Sequence, residues 1–343
     1  MGNIDKTKRL AVAAAAMLCL LATIFLPGMT LAAGAASSSA AETSATSAAS
    51  TASIRATTAR IQALLDDPVN GNVSLPAGTF AIRPGLRLHQ GETITGHRTT
   101  LKVASGSGNY AAVLSGASLA TDLSGLTITG VTFDQNWTGN PIHRVAALYH
   151  GSPRFVLLVG RGSYITIAHN RFVGANNINT VVTGGATSHV TISGNAFRTV
   201  NTPWHDHSSV YTSGTNTVIT RNTFAGAAAV AAAIEVHGTR VTVTRNDVRG
   251  YYRAVNVVSH YTAVSHNTVI GAVNPVDLWS TVGPGLHDVK VTYNVLNRDL
   301  AHWARVLAHR GGRLPPPRYT KQVIKDATSR FPLHRIAIHG NRG

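Results

Sequence analysis

Short runs of alternating β-branched and polar residues recur along most of the chain, and each run ends in an asparagine followed closely by an apolar residue. Strict alternation of this kind predicts a strand with one buried face. The clearest copies span residues 165–172, 190–197, 218–224, 241–248, 263–269 and 289–296. An earlier copy at 126–133 has Val131 in the asparagine position, and a late copy at 334–341 ends in Asn341.

The spacing of these asparagines predicts the fold. Asn170, Asn195, Asn222, Asn246, Asn267 and Asn294 follow one another at intervals of 21 to 27 residues. A period of this length, with strands and no helical pattern, indicates a stacked solenoid. We therefore expect an all-β fold, a single-stranded right-handed parallel β-helix over residues 57–297. The asparagines should form a column whose amides bond along the stack.

Both ends of such a solenoid must be covered, because an open end exposes apolar core and unpaired strand edges. Residues 57–67 carry Ile61, Leu64 and Leu65 at helical spacing and predict a short capping helix. Residues 298–343 form a basic C-terminal cap or tail. Within it, 300–307 contain Trp303 and predict a second helix, three prolines at 315–317 interrupt the chain, and a last strand follows.

The N-terminal region is expected to lie outside this fold. Residues 1–35 combine Lys6, Lys8 and Arg9, an apolar run and small residues, which is the order of a secretory signal peptide. A retained membrane anchor is the alternative reading. Residues 36–56 are almost entirely Ala, Ser and Thr and predict a flexible linker. We therefore expect a secreted protein, extracellular or periplasmic, with no stable membrane insertion after cleavage.

The charge of the chain favours an anionic partner. The chain contains 30 Lys and Arg residues and 14 Asp and Glu residues, which gives a net charge of +16. Acidic polysaccharide, nucleic acid and anionic lipid all qualify. No Lys/Arg run is interleaved with aromatic residues and no nucleic-acid motif occurs, so no nucleic-acid partner is expected. Cys19 is the only cysteine and lies in the apolar N-terminal run, so a thiolate zinc site is excluded from the solenoid.

The order of these features resembles the pectate-lyase-like superfamily of right-handed parallel β-helices. The resemblance is carried by a cap helix, Leu-Pro-Ala-Gly-Thr-Phe at 75–80, a turn bounded by Gly91 and Gly96, and coils that end in asparagine. The superfamily includes polysaccharide lyases, glycoside hydrolases, uronan epimerases and phage depolymerases. The resemblance implies a polysaccharide substrate that lies across the outer face of one sheet near the middle of the solenoid.

Candidate chemistry lies in the middle coils. Alternation directs Ile234 and Val236 inward and Glu235 and His237 outward. Tyr211 and Asn256 lie, like Glu235, eleven residues before a ladder asparagine, so the three should be neighbours in successive coils about 4.8 Å apart. The segment Trp204, His205, Asp206 and His207 leads into the Tyr211 strand and should overhang the same face. An ordinary surface pair is the alternative reading of Glu235 and His237.

Three functions fit this cluster. The leading hypothesis is an exported lyase that cleaves an acidic, uronate-containing polysaccharide by β-elimination. His237 or His207 would be the base, Tyr211 the proton donor and Arg253 the group that neutralises the carboxylate. Trp204, His205 and Asn256 would bind the sugar. A glycoside hydrolase using Glu235 with Asp206 or Asp134 is one alternative. A non-catalytic glycan-binding protein of the cell surface is the other.

Two further expectations complete the sequence reading. Asp134 and Trp137 lie in a polar segment that interrupts the repeat, and Trp137 is a candidate sugar platform. No cofactor is expected. His205, Asp206 and His207 with His237 are too few convergent ligands to predict zinc, and Ca²⁺ is possible but not indicated.

Overall fold

The computed structural model describes residues 39–107, 112–141, 155–175, 179–199, 208–280, 285–309, 323–325 and 330–343. The chain divides into two units, Met1–Ala48 and Ala49–Gly343. The second unit is an all-β parallel solenoid, as the repeat predicts. The expected signal peptide over residues 1–35 lies outside the described residues.

Each full turn of the solenoid contributes one strand to each of three parallel sheets, A, B and C. Sheet A contains the short strands that precede the ladder asparagines. Its members are β1 (Asn72–Leu75), β12 (Val218–Thr220), β14 (Thr242–Thr244), β16 (Ala263–Ser265), β19 (Leu286–Thr292) and β22 (Leu333–His339), with the first parts of β4 (Thr93–Val103) and β6 (Thr127–Asp134) and the last parts of β7 (Phe155–Ala168) and β9 (Asn179–Ser193).

Sheets B and C complete the turn. Sheet B contains β2 (Gly78–Ile82), the last parts of β4 and β6, β8 (Arg171–Ala175), β10 (Ala196–Thr199), the first parts of β13 (Thr223–Val236) and β15 (Asp247–Val257), β17 (Thr268–Ala272) and β20 (Val295–Arg298). Sheet C contains β3 (Leu86–Arg87), β5 (Ala112–Ser115), the first parts of β7 and β9, β11 (Ser208–Thr212), the last parts of β13 and β15, β18 (Asn274–Leu278) and β21 (Val323–Lys325).

The asparagine column between sheets A and B has the predicted form. Asn222 donates from Nδ2 to the carbonyl of Ile192 and to Oδ1 of Asn246, at 2.9 and 3.0 Å. Its own Oδ1 accepts from the backbone amide of Asn195 at 2.9 Å. The same bonds repeat along the column to Asn341. At its start, the backbone amide of Val131 donates to Oδ1 of Asn170. Each asparagine thus satisfies backbone groups that the turn leaves without strand partners.

The interior is a continuous apolar column. A stack of phenylalanines runs through it, formed by Phe133, Phe172, Phe197 and Phe224 with ring centroids 4.7 to 5.1 Å apart. Identical side chains stack in this way because in-register coils place equivalent residues directly above one another. This regular interior fixes which side chains of each coil point outward.

Helices lie at both ends of the second unit. The first helix, α1 (Ser39–Asp66), buries Ile61 and Leu65 against the apolar core, as predicted for a cap. It begins at Ser39 rather than near Thr57, so residues 39–56, predicted to belong to a flexible linker, are helical; this stretch contains seven alanines and neither Gly nor Pro. The second helix, α2 (Leu300–His309), buries Trp303 completely, and the indole Nε1 donates to the carbonyl of Gly271 at 2.7 Å.

Candidate functional site

The candidate site is an outward row of side chains on sheet C. Tyr211 of β11 is in register with Glu235 of β13, and Glu235 with Asn256 of β15. The expected adjacency of these three residues is therefore confirmed. The row continues to Asp277 of β18, which is in register with Asn256. Four polar or aromatic side chains from four successive turns thus form one strip.

The outward direction of this row follows from the alternation of buried and outward side chains along the strand. Ile234 and Val236, on either side of Glu235, are fully buried in the apolar core. The side chain of Glu235 points the other way and is 13 % exposed. It therefore lies on the outer face of sheet C.

Glu235 is bonded by two neighbouring side chains. Ser208 of the preceding turn donates from Oγ to Oε2 of Glu235 at 2.6 Å. Nε2 of His237 lies 2.8 Å from Oε1, and the imidazole is 29 % exposed. Because an ionised carboxylate only accepts, Nε2 of His237 carries the donated hydrogen. In neutral His237 this leaves Nδ1 as a lone-pair acceptor.

The protonation of Glu235 follows from these contacts. Burial by itself raises the pKa of Glu235, but the hydrogen bond and charge of His237, the hydroxyl of Ser208 and the charge of Arg253 together hold it below its ordinary value. Glu235 is therefore a carboxylate at neutral pH. It suits a base, a nucleophile or an orienting group rather than a general acid.

Tyr211 lies beside the imidazole of His237. Their ring centroids are 4.7 Å apart at an interplanar angle of 27°. Tyr211 also belongs to an apolar cluster with Leu158 and Val182, which precede it in the same outward row. The row therefore changes from apolar to polar at Tyr211, a transition the sequence analysis did not anticipate.

Arg253 is held at the site by an acid that the sequence analysis missed. Its Nε lies 3.1 Å from Oδ2 of Asp277, whose side chain is fully buried. Asn274 donates from Nδ2 to the same carboxylate oxygen at 3.1 Å. The expected role of Arg253, neutralising a substrate carboxylate, is thus modified, because part of its charge is already balanced by Asp277.

Asn256 has a buried acceptor without a partner. The residue is 3 % exposed, and within the described part of the chain its Oδ1 receives no hydrogen bond. A buried acceptor left in this state costs about 1–3 kcal/mol. It lies in the row between Glu235 and Asp277.

Asp134 and Trp137 lie elsewhere on the solenoid. Asp134 ends a strand of sheet B three turns before Glu235, so the structure does not bring these two carboxyl groups together. Its Oδ2 lies 3.8 Å from Nζ of Lys102. Asn136 donates to the carbonyl of Val103, which anchors the loop on the preceding coil and leaves Trp137 40 % exposed.

The remaining predicted residues, Trp204, His205, Asp206 and His207, lie outside the described residues. Two site residues were missed by sequence reasoning, Ser208 and Asp277. Asp277 had a usable signal: it lies ten residues after Asn267, as Asn256 lies ten after Asn246. Counting back eleven residues from the following asparagine, Asn294, does not reach Asp277, because the turn between them is longer. Nothing in the sequence singles out Ser208 from other serines.

The described residues contain no group of three or more His, Cys, Asp or Glu side chains arranged to bind a metal ion. They also contain no helix that is both long and apolar enough to cross a bilayer.

Comparison with known proteins identifies solved structures of similar fold. No protein-family model and no curated protein sequence matches the chain. Among solved structures it is similar to the tailspike protein of E. coli bacteriophage HK620 in complex with a pentasaccharide, at 16 % identity and a TM-score of 0.58. A mutant of that tailspike in complex with a hexasaccharide matches at 16 % identity and a TM-score of 0.62. Each match covers 83 % of this chain but 52 % of the tailspike, so the chain spans about half of its length. At this identity the similarity shows a shared fold.

Proposed function

We propose that this chain is an exported carbohydrate-active β-helix enzyme that binds an acidic polysaccharide across sheet C and cleaves it by β-elimination. The observation that carries the proposal is the Glu235–His237 pair. A buried carboxylate holds a partly exposed imidazole by a 2.8 Å bond on the outer face of the solenoid. A carboxylate that orients a histidine in this way makes it an effective base.

The proposed reaction uses Nδ1 of His237. In a uronate sugar, Nδ1 takes the proton from C5, beside the carboxylate. The C4–O bond to the leaving sugar then breaks, and the electron pair of the C5–H bond forms a C4=C5 double bond. The leaving oxygen takes a proton from the hydroxyl of Tyr211, whose ring stacks on His237. The products are an unsaturated sugar and a new free hydroxyl, and a proton later returns from the imidazole to the tyrosine through water.

Charge stabilisation in this reaction falls to Arg253. Removal of the C5 proton places negative charge on the uronate carboxylate, which a guanidinium stabilises. Arg253 has five N–H donors, so it can bind a carboxylate while its Nε stays on Asp277. Asn256 would accept a bond from a sugar hydroxyl through its unpartnered Oδ1 once the substrate displaces the groups that cover this atom. These steps use side chains of the chain itself, so we expect cleavage to continue in the presence of EDTA.

Three observations support a carbohydrate ligand and export. The tailspike structures of similar fold contain bound pentasaccharide and hexasaccharide. The cap helix and the Leu-Pro-Ala-Gly-Thr-Phe segment resemble the pectate-lyase-like superfamily, to which we propose the chain belongs. The N-terminal residues 1–35 have the order of a secretory signal, and they support a secreted location.

The test is incubation of the protein with polygalacturonate, alginate and glycosaminoglycans while the ultraviolet absorbance of an unsaturated product is followed. We expect absorbance to rise with one of them, and His237→Gln and Glu235→Gln to lower the rate at least about 100-fold. His189→Gln and Asp122→Asn, at exposed positions away from the site, are the matched controls. New reducing ends without absorbance would show a hydrolase, and retention on a glycan column without products would show a binding protein. Either result would overturn the lyase proposal.

A further inference from the structure

Four arginines form a cationic band on a different face of the solenoid. Arg171, Arg198, Arg221 and Arg245 come from four successive turns, and all four are exposed. We call this set the arginine band. Its members lie at the edge between sheets A and B or on the adjoining outer face of sheet B, whereas the candidate site lies on sheet C.

The register places these residues close together. Arg221 and Arg245 immediately follow paired strands of sheet A, since Thr220 is in register with Thr244. Both have positive φ, of 54° and 56°, in the turn that precedes a ladder asparagine. This left-handed turn is shared by successive coils, so the two side chains project from adjacent turns about 4.8 Å apart.

The other two arginines extend the band over earlier turns. Arg171 is in register with Ala196, and Arg198 with Ala225. The four guanidinium groups therefore occupy about 14 Å along the solenoid axis, one in each turn. Between them lie small residues, Gly194, Ala196, Thr223 and Ala225, which give the band a flat floor, and the exposed imidazole of His169 lies over Gly194 at one end of it.

Among the described residues, the four arginines of the band have no acidic partner, because Asp247, the acid two residues after Arg245, is bonded to Arg249. None of the four guanidinium groups makes an ion pair or side-chain hydrogen bond within the part of the chain that the structure describes. Other arginines of this protein do have acids: Arg249 lies 2.9 Å from Asp247, and Arg335 is bonded to Asp288. Four like charges held on adjacent turns repel one another, and a bound polyanion removes that repulsion.

We propose that the arginine band binds an acidic polysaccharide chain lying along the solenoid axis, as a surface that retains the protein on its polymer. A linear glycan with regularly repeated carboxylate or sulfate groups fits one cation per turn on a flat floor. Single-stranded nucleic acid is less favoured, because the floor offers only the imidazole of His169 beside Gly194, whereas proteins that bind single strands stack successive bases on several aromatic rings. This inference does not depend on the proposed cleavage, since binding at the edge of sheets A and B needs no group of sheet C.

The test compares two full-length variants with equal loss of charge. The band variant carries Arg171→Gln, Arg198→Gln, Arg221→Asn and Arg245→Asn; asparagine tolerates the left-handed turn. The control variant carries Arg83→Gln, Arg161→Gln, Arg240→Asn and Lys290→Gln, all exposed, with Arg240 again at positive φ. All proteins also carry His237→Gln, so that polymer is not degraded during the measurement, and thermal unfolding checks that each variant folds.

Binding to polygalacturonate, heparin, a DNA oligonucleotide and anionic phosphatidylserine vesicles is measured over a range of salt concentrations. We expect the band variant to lose at least about tenfold in affinity for an acidic glycan, with a shallower salt dependence, and the control variant to lose less than about threefold. Equal losses of glycan affinity in the two variants would show that only the net charge of the protein matters, and would overturn the proposal. Tighter band-dependent binding of the oligonucleotide or the vesicles than of either glycan would overturn it as well. Because no cleavage is measured, a failure here is distinct from a failure of the lyase proposal.

Discussion

Oε1 of Glu235 lies 2.8 Å from Nε2 of His237, two residues further along the same turn. Residues two apart on an extended strand share a face, so this bond is a direct consequence of the backbone conformation. It ties an ionised, buried carboxylate to an imidazole at the surface. The stability of the protein and the chemistry proposed for sheet C therefore both depend on it.

The first prediction concerns acid stability and Glu235. The pKa of Glu235 in the folded protein lies below its ordinary value of 4.5, so the ionised form stabilises the fold. This contribution is complete above about pH 4.5 and is lost as the pH falls through the lowered pKa. We expect the melting temperature of the unsubstituted protein to fall more steeply between pH 6 and pH 3 than that of Glu235→Gln, as measured by circular dichroism.

Ser208→Ala is the matched intermediate variant for that measurement. It removes the 2.6 Å bond to Oε2 but keeps the bond from His237, so its acid dependence should fall between the other two. Identical acid dependence of Glu235→Gln and the unsubstituted protein would refute the assigned ionisation.

A second prediction concerns the buried carboxylate of Asp277. In Asp277→Asn, Arg253 loses its charged partner while the shape of the site is preserved. Because Arg253 is one quarter exposed and water can solvate it, the expected loss of stability is moderate, about 1–3 kcal/mol. Urea unfolding measures this loss, and any cleavage rate should fall about tenfold as the guanidinium reorients.

A double-mutant cycle with Arg253→Gln separates the pair from other effects. If the two side chains interact as the 3.1 Å contact indicates, the double variant should lose less stability than the sum of the single variants, by about 0.5–3 kcal/mol. If the losses of unfolding free energy in the two single variants add up to the loss in the double variant, the two side chains do not interact.

A third prediction concerns the asparagine column. Asn222→Ala removes the acceptor of the Asn195 amide and the donor to the Ile192 carbonyl, and all of these groups are buried. Leaving two buried backbone groups unsatisfied costs about 2–6 kcal/mol. Urea unfolding should show a lower midpoint, with amide hydrogen exchange accelerated at the neighbouring turns.

Asn297→Ala provides the comparison for that variant. Asn297 is exposed on sheet B, so its removal should change the free energy of unfolding by less than about 0.5 kcal/mol. Equal effects of the two substitutions would remove the structural role assigned to the column.

A fourth prediction concerns the helix near the C-terminal end. Trp303 of α2 is fully buried, packs edge-on against Tyr252 at 5.5 Å and bonds Gly271. We expect Trp303→Ala to cost about 3–5 kcal/mol and Leu300→Ala, at an exposed position of the same helix, about 0.5 kcal/mol or less. Chemical unfolding followed by circular dichroism compares the two, and a small effect of Trp303→Ala would show that α2 does not stabilise the solenoid.

Much of the site could be placed from sequence because the solenoid is nearly periodic. Counting from the asparagines placed Tyr211, Glu235 and Asn256 on adjacent turns, and the register agrees. The count failed for Asp277, where the following turn is longer. The hydrolase alternative paired Glu235 with Asp134, which belongs to another sheet and an earlier turn.

The sequence by itself determined the parallel solenoid, its asparagine column and the outward direction of Glu235, because alternation and period act locally and repeat in every turn. Only the tertiary structure decided that Ser208 bonds Glu235, that Asp277 holds Arg253, and that four arginines without counter-charges gather at the edge between sheets A and B. The Ser208–Glu235 and Arg253–Asp277 contacts join residues 27 and 24 apart, and the separation changes from turn to turn. Counting along the sequence aligns side chains only where successive turns have equal length.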